Sequence, residues 1–417
     1  MLADQFSNAI EMTFKEIIAI KDWNDLFDYL DKKSGVKKLV IVIDEFQRIA
    51  TFSKDFIYSL QDNWDRKLKN RKILFIISGS SMRMMHKLVL EEHGTLYGRT
   101  TFRLPLKQFS YCDFRLMFES KNEEEKINIF SMFGGTPKYL SDFKSMDVHL
   151  MDAFNKLVLS ENGSLYDEPL NALTDELRNP ERYLSIIETI SQGKLESNEI
   201  ATALQLKNSE LSPYLRNLID LLDIIESNDP IFGKKRMKRY KLKDNFFKFW
   251  FKFVFPYRQY LKNGDHNFIL DKIEKEFSSY CGHIFEEIVR DFFLHINKQK
   301  IMNKYIDFYE CGSWWDDQDE IDLILKNNDE TIFVEIKHKE KPIDITCFEE
   351  LKRKSKKTLA SGKFYYILIS KSGFEPKLKN LDVNNLLLID LVQFTEILEE
   401  RQKQQKETQR GLDYYSI

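Results

Sequence analysis

The run Leu39-Val40-Ile41-Val42-Ile43-Asp44-Glu45 constrains this chain most: five consecutive aliphatic residues end on two adjacent carboxylates. An uninterrupted aliphatic run of that length reads as a strand buried on both faces, the habit of parallel sheets flanked by helices. Carboxylates at the end of such a strand need a reason, and ligand sites of open α/β sheets lie just outside those carboxyl ends. A helical pattern through Phe56, Ile57, Leu60 and Trp64 follows, and then a second aliphatic run, Ile73-Leu74-Phe75-Ile76-Ile77, which ends in Ser78-Gly79-Ser80. Strand, helix, strand at this spacing predicts a right-handed βαβ unit. Ahead of it, helical spacing puts Trp23, Leu26, Phe27 and Leu30 on one buried stripe.

The 417 residues exceed what one core accommodates and predict several domains. With 63 Lys and Arg against 66 Asp and Glu, the formal net charge is -3, which excludes a uniformly basic nucleic-acid binder but allows local basic patches. The 33 Phe and 18 Tyr supply core material for a folded chain. Cys112, Cys281, Cys311 and Cys347 are scattered, with no CxxC or Cys/His spacing of a zinc site, a usage that suits a reducing compartment. No apolar run reaches membrane-span length and no cationic, then apolar, leader opens the chain, so the expected location is cytoplasmic, without membrane contact.

Three further phrases follow in order: Leu96-Tyr97-Gly98-Arg99, a short strand expected at Thr101–Leu106, and Phe133-Gly134-Gly135-Thr136-Pro137-Lys138-Tyr139-Leu140. Together with Ile43-Asp44-Glu45-Phe46-Gln47 and the serine-rich end of the second strand, they closely resemble the archaeal-type ATPases, a P-loop family related to AAA+ and STAND ATPases. The resemblance covers nearly the whole chain. It implies that Asp44 is the Walker B acid that holds Mg²⁺ and that Glu45 orients the attacking water. It likewise implies that Ser78 and Ser80 sense the γ-phosphate and that Arg99 is a sensor or finger for nucleotide phosphates. The chain departs from the family at one point. A Walker A loop, GxxxxGK followed by Ser or Thr, does not precede the first strand, and no glycine occurs before Gly35. The expectation is either a fragment of a longer reading frame or a fold that has lost its nucleotide site, with weak ATP binding by this chain alone.

Residues 108–175 read as a helical lid and connector after a partial ATPase core at 1–107. Residues 176–245 show three helices, then a hairpin whose strands are Ile224–Ser227 and Arg239–Leu242, which makes a winged helix. Its third helix carries Ser212, Tyr214, Arg216 and Asn217; its wing carries Lys234, Lys235, Arg236, Lys238 and Arg239. Five cations within six residues could neutralise several phosphates, which points to DNA, although a solvated loop or a protein-docking wing would look the same. The lid and winged helix also leave room for a second copy or another protein. The segment Asp244–Gly264 interleaves aromatic and basic residues; a buried connector at 246–263 is expected, not a membrane-surface helix.

Residues 264–398 carry the sharpest chemistry. A helix around Gly282–Arg290 precedes strands near Phe308, Glu320–Leu325 and Thr331–Lys337, a helix after Phe348, and a strand at Phe364–Ser370. That order, with Asp322 on the second strand and Glu335-Ile336-Lys337 on the third, resembles the PD-(D/E)xK nuclease core. Strand neighbours lie about 4.8 Å apart, so an acid on each can share one cation. Glu335 and Lys337, two residues apart, share a face. Asp322 and Glu335 would hold Mg²⁺, Lys337 would position a water, and Glu286 could reach in from the helix. The predicted fold class is α/β: a partial parallel P-loop sheet, a helical lid with a winged helix, and a restriction-endonuclease-like domain, with a charged tail at 399–417. Two functional readings stay open. One is an ATPase-family protein coupled to metal-dependent DNA cleavage. The other is a non-catalytic DNA-binding or regulatory protein, or the inert product of a disrupted ATPase gene.

Overall fold

Leu39–Ile43 and Ile73–Ile77 form strands β1 and β2, paired in parallel with Leu39 opposite Ile73 and Ile43 opposite Ile77. The structure is a computed structural model of the chain and describes residues 2–80, 82–91, 94–174, 177, 180–233 and 237–413. It divides into two compact units, Met1–Pro105 and Leu106–Ile417.

In the first unit, helices Leu2–Phe14, Trp23–Ser34, Phe46–Phe52 and Lys54–Arg66 accompany the two strands. Asp22 caps the second of these by accepting from the Asn24 and Asp25 amides, which is why the early apolar pattern is two helices and not one. The expected stripe packs inward: Leu26, Phe27 and Leu30 are buried with Phe56 and Leu60, and Trp23 stacks edge-on to Phe56 at 4.9 Å. The expectation of a sheet buried on both faces is not met among the described residues. Val40 and Val42 are 64% and 63% exposed, and Leu74 and Ile76 beside them 52% and 43%. Side chains alternate along a strand, and the helices of this unit cover only the face that carries Leu39 and Ile43. Nor do Thr101–Leu106 form a strand; Phe102, Leu104 and Leu106 are exposed and in no ladder.

The core of the second unit is the aromatic helix Asn245–Phe253, where Phe246, Phe249, Trp250, Phe251 and Phe253 are buried. Its lysines account for the interleaved pattern: Lys248 pairs with Glu287 at 2.5 Å and Lys252 with Glu276 at 3.6 Å, both on the long helix His266–His295. The buried connector is thus the hub of this unit. Helix Glu123–Phe133 packs against it and starts with a capping box, in which Asn122 accepts from the Glu125 amide at 2.9 Å and Glu125 accepts from the Asn122 amide at 3.1 Å. Asn122→Ala should lower stability by about 1 kcal/mol in chemical denaturation; an unchanged midpoint would show that the cap is dispensable.

Helices Pro180–Ser191, Ser197–Ala203 and Asn208–Arg216 precede the antiparallel hairpin of β3 (Ile225–Asn228) and β4 (Arg239–Leu242). The hairpin β5 (Gln299–Ile301) and β6 (Lys304–Ile306) leads into a mixed sheet of β7 (Glu310–Trp315), β8 (Glu320–Lys326), β9 (Glu330–Lys337), β10 (Lys363–Ser370) and β11 (Leu386–Asp390), in spatial order β11-β10-β9-β8-β7. β7, β8 and β9 run antiparallel, whereas β9, β10 and β11 run parallel. The anticipated helix, three strands, helix and strand occur in that order, but the β5–β6 hairpin, the short helix Pro376–Lys379 and β11 were not anticipated. Val334 and Ile336 of β9 pack into the core with the long helix, while Phe333 faces helix Ile345–Ser355 through Phe348 and Leu351, so the sheet is sealed on both sides. Among the described residues no helix is long and apolar enough to cross a membrane.

Candidate active site

Register brings the predicted acids together. The β8–β9 ladder ends at Leu323 opposite Val334, and Asp322 and Glu335 are the next residues beyond that end, where Lys337 reaches both. Alternation turns Glu335 and Lys337 to the same face, where helix Ile345–Ser355 adds Lys354. Lys337 Nζ lies 2.6 Å from Glu335 Oε1 and 3.7 Å from Asp322 Oδ2. Lys354 Nζ approaches Glu335 Oε2 at 3.5 Å. The Ile336 amide donates to Asp322 Oδ2 at 2.7 Å and fixes that carboxylate.

The electrostatics follow from burial. Glu335 is 5% exposed. Desolvation raises the Asp322 pKa well above the usual carboxylate range; the Glu335 charge adds to the rise, Lys337 opposes it, and Glu286 contributes a smaller push. Burial alone would lower the Lys337 pKa, but Asp322 and Glu335 outweigh it and raise the ammonium above its ordinary value. Glu286 stands on the helix covering the opposite face, with His283 3.8 Å away. It is near enough to act on Asp322 by charge. Next in sequence, His338 turns from Lys337 toward Phe285 and a cavity of about 610 Å³ that Glu124, Glu340 and Lys371 also line.

Oxygen donors from two carboxylates on adjacent strands suit a hard divalent cation such as Mg²⁺. Burial favours it, since two desolvated carboxylates are stabilised by shared positive charge. Lys337 and Lys354 supply such charge themselves, so the same geometry also makes a self-contained ion-pair network. Sequence reasoning missed Lys354 because its tie to Glu335 crosses from a helix to a strand 19 residues earlier, and no local motif records it.

At the carboxyl ends of β1 and β2 the other expected cluster forms. Ser78 Oγ donates to Asp44 Oδ1, which also accepts from the Glu45 amide at 2.9 Å. The Ser78 hydroxyl is the larger cause and the amide the second in holding the Asp44 carboxyl below its usual value. Gln47 Nε2 donates to Glu45 Oε2 at 2.6 Å and to Ser80 Oγ at 3.0 Å, tying the two strand ends together. Glu45 itself has φ 51° and ψ 42°, left-handed backbone that non-glycine residues adopt at a cost. Arg99 is not drawn into this group: its guanidinium grips Asp65 at 2.6 to 3.1 Å and the Thr95 and Tyr97 carbonyls.

Of the basic residues expected at the hairpin, Lys234, Lys235 and Arg236 lie outside the described residues. Lys238 is 3.9 Å from Asp229. Arg239 stacks over Trp315 at 4.4 Å and pairs with Glu320 at 2.9 Å, while the Trp315 indole N–H donates to the Met237 carbonyl at 3.0 Å. The end of β7, at Trp314-Trp315, is thereby joined to the hairpin. Arg216 is exposed on its helix.

A family described as an ATPase domain predominantly from Archaea matches residues 2–143. The uncharacterized protein MJECL04 of Methanocaldococcus jannaschii is 32% identical over 399 residues, which span 94% of this chain and 86% of that protein. The chain belongs to the archaeal-type ATPase family. A second family, described as archaeal and bacterial proteins of unknown function, matches residues 250–358 of this archaeal-type ATPase, a stretch that holds Glu286, Asp322, Glu335 and Lys337. Protein MJ0424 of the same organism is 37% identical over 62 residues, 15% of this chain and 60% of its own. Among solved structures, the Walker-type ATPase PABY2304 of Pyrococcus abyssi is similar at a TM-score of 0.46 and 18% identity, covering 60% of this chain and 77% of that one.

Proposed function

We propose that this archaeal-type ATPase family member carries a metal-dependent phosphodiesterase site acting on DNA, built from Asp322, Glu335 and Lys337. The observation that carries the proposal is the pair of carboxylates on neighbouring strands, Glu335 buried and Asp322 partly so, with Lys337 against both. Asp322, Glu335 and the Ile336 carbonyl would hold Mg²⁺, with Glu286 close by. The bound ion would supply Lewis-acid charge for the scissile phosphate and a water acidic enough to attack it. Lys337 orients the water and offsets negative charge as the phosphate is attacked. Lys354 holds Glu335 in place from the helix side. Asp44, in this reading, takes the magnesium-holding role of the ATPase family, Glu45 the water-orienting role, and Ser78 and Ser80 the phosphate-sensing one. The helices at 180–216 with the β3–β4 hairpin would serve as a winged helix that offers Arg216 and Lys238 to the DNA backbone, while Arg239 stays tied to Trp315 and Glu320.

Supercoiled plasmid incubated with the purified protein should be nicked in Mg²⁺ or Mn²⁺, and EDTA should stop it. Failure to nick any DNA in either metal would remove the reading. The competing reading, a non-catalytic DNA-binding or regulatory protein, draws on the lysines that already neutralise both acids. It predicts DNA affinity that falls with salt and is indifferent to divalent cations.

A further inference from the structure

Away from these carboxylates, three side chains of metal-ligating type converge. Cys112 lies on the short helix Tyr111–Phe114, and Asp291 and His295 lie one turn apart on the last turns of helix His266–His295. A sulfur, a carboxylate oxygen and an imidazole nitrogen from the three all fall within 4.8 Å of one another. We infer that Cys112, Asp291 and His295 form a zinc site, distinct from the magnesium site proposed above and independent of it.

Two further observations bear on this cluster. Asp291 Oδ2 is buried with no hydrogen-bond partner, an arrangement that costs free energy unless something positive meets it. A cavity of about 10 Å³, sized for a single small ion or water, lies against Cys112 and His295 but not against Asp291; Phe292, Ile296, Leu398, Arg401 and Gln402 complete its lining. The His295 ring is held in the manner of metal-bound imidazoles: Nδ1 lies 2.8 Å from the Asp291 carbonyl oxygen, an acceptor only, so Nδ1 carries the proton and the lone pair is left on Nε2. Gln402 Nε2 donates to the Cys112 carbonyl at 3.0 Å and Arg401 to the His295 carbonyl, so the helix Leu391–Asp413 closes over the group.

The donor set selects the metal. One thiolate with one imidazole and one carboxylate is a borderline-soft combination that suits Zn²⁺ and not Mg²⁺ or Ca²⁺, and a water would complete a tetrahedron. A cysteine thiol holds its proton at neutral pH and must give it up to bind a metal as thiolate. Zinc binding therefore expels one proton from Cys112 to solvent as the Zn–S bond forms. Arg401 lines the same cavity; its positive charge favours the thiolate and limits affinity for the ion. The site would clip the lid helix to the long helix, which a thiol, a carboxylate and an imidazole alone do weakly.

The test uses the full chain stripped with chelator and then titrated with Zn²⁺, and separately with Co²⁺, in excess Mg²⁺ to saturate oxygen-only sites. The expected result is one Zn²⁺ per chain with release of about one proton, and a thiolate-to-cobalt absorption band with Co²⁺. Cys112→Ser should abolish the band, and His295→Gln should weaken Zn²⁺ binding by about a hundredfold. Cys347→Ser, a change to the thiol beside Glu335 and Lys337, should leave the band in place. Asp291→Asn, which keeps the volume, serves if either other variant fails to fold. No stoichiometric uptake by the wild-type chain, or uptake that survives all three ligand substitutions, would overturn the assignment.

Discussion

Asp322→Asn is expected to lower Mg²⁺-dependent DNA cleavage by about a hundredfold to a thousandfold while leaving thermal stability unchanged or slightly raised. The opposite signs come from one fact: Asp322 is a buried acid whose pKa burial and Glu335 drive upward. The amide keeps an oxygen for the Ile336 N–H and removes a charge the fold holds at a cost. Lys337 is not stranded by the change, since it stays 2.6 Å from Glu335 Oε1. Lys337→Ala should lose activity to a similar degree, and it should lose stability too, since Glu335 then keeps only Lys354 at 3.5 Å. Cleavage untouched by either change would sink the assignment of these residues, whatever nuclease the preparation contains.

Glu123→Ala should cost about 3 to 5 kcal/mol, the largest stability loss expected from a single polar substitution here. Its carboxylate receives Arg115 Nε at 2.8 Å and Nη2 at 2.8 Å, the Tyr111 hydroxyl at 2.7 Å, and Lys126 at 3.7 Å. Arg115 and Glu123 side chains are only 2% and 4% exposed. Truncation leaves a guanidinium and an ammonium in a dry site with no carboxylate, only the Tyr111 phenol oxygen, to accept from them. Arg115→Met with Glu123→Met should recover part of the loss, because two charges leave together, though Lys126 and Tyr111 still lack their acceptor. Urea unfolding of the full chain measures both; a single variant within about 1 kcal/mol of wild type would show that water reaches the site.

What the sequence made legible was what short-range pattern encodes. Alternation gave the shared face of Glu335 and Lys337, the aliphatic runs gave β1 and β2, and aromatic density gave the buried helix at Asn245–Phe253. What it hid was set by distant partners. Five aliphatic residues in a row cannot say how many faces are covered, and β1 has one face open. Thr101–Leu106 has strand composition but no strand to pair with among the described residues. Arg239 reads as a free wing cation until Trp315 and Glu320 are seen beside it. Cys112 has no cysteine or histidine near it in sequence; the only local hint was the four-residue step from Asp291 to His295, which puts both on one side of a helix.

The two acid pairs sit on platforms of different rigidity. With Val40, Val42, Leu74 and Ile76 facing water, the backbone of β1 and β2 has a dry neighbour on one side only. Their amide protons should exchange with deuterium through small local openings, whereas those of β9 and β10, sealed by helices on both sides, should wait for far larger ones. Asp44 and Glu45 thus stand on a ledge that breathes, and Asp322 and Glu335 on one that does not.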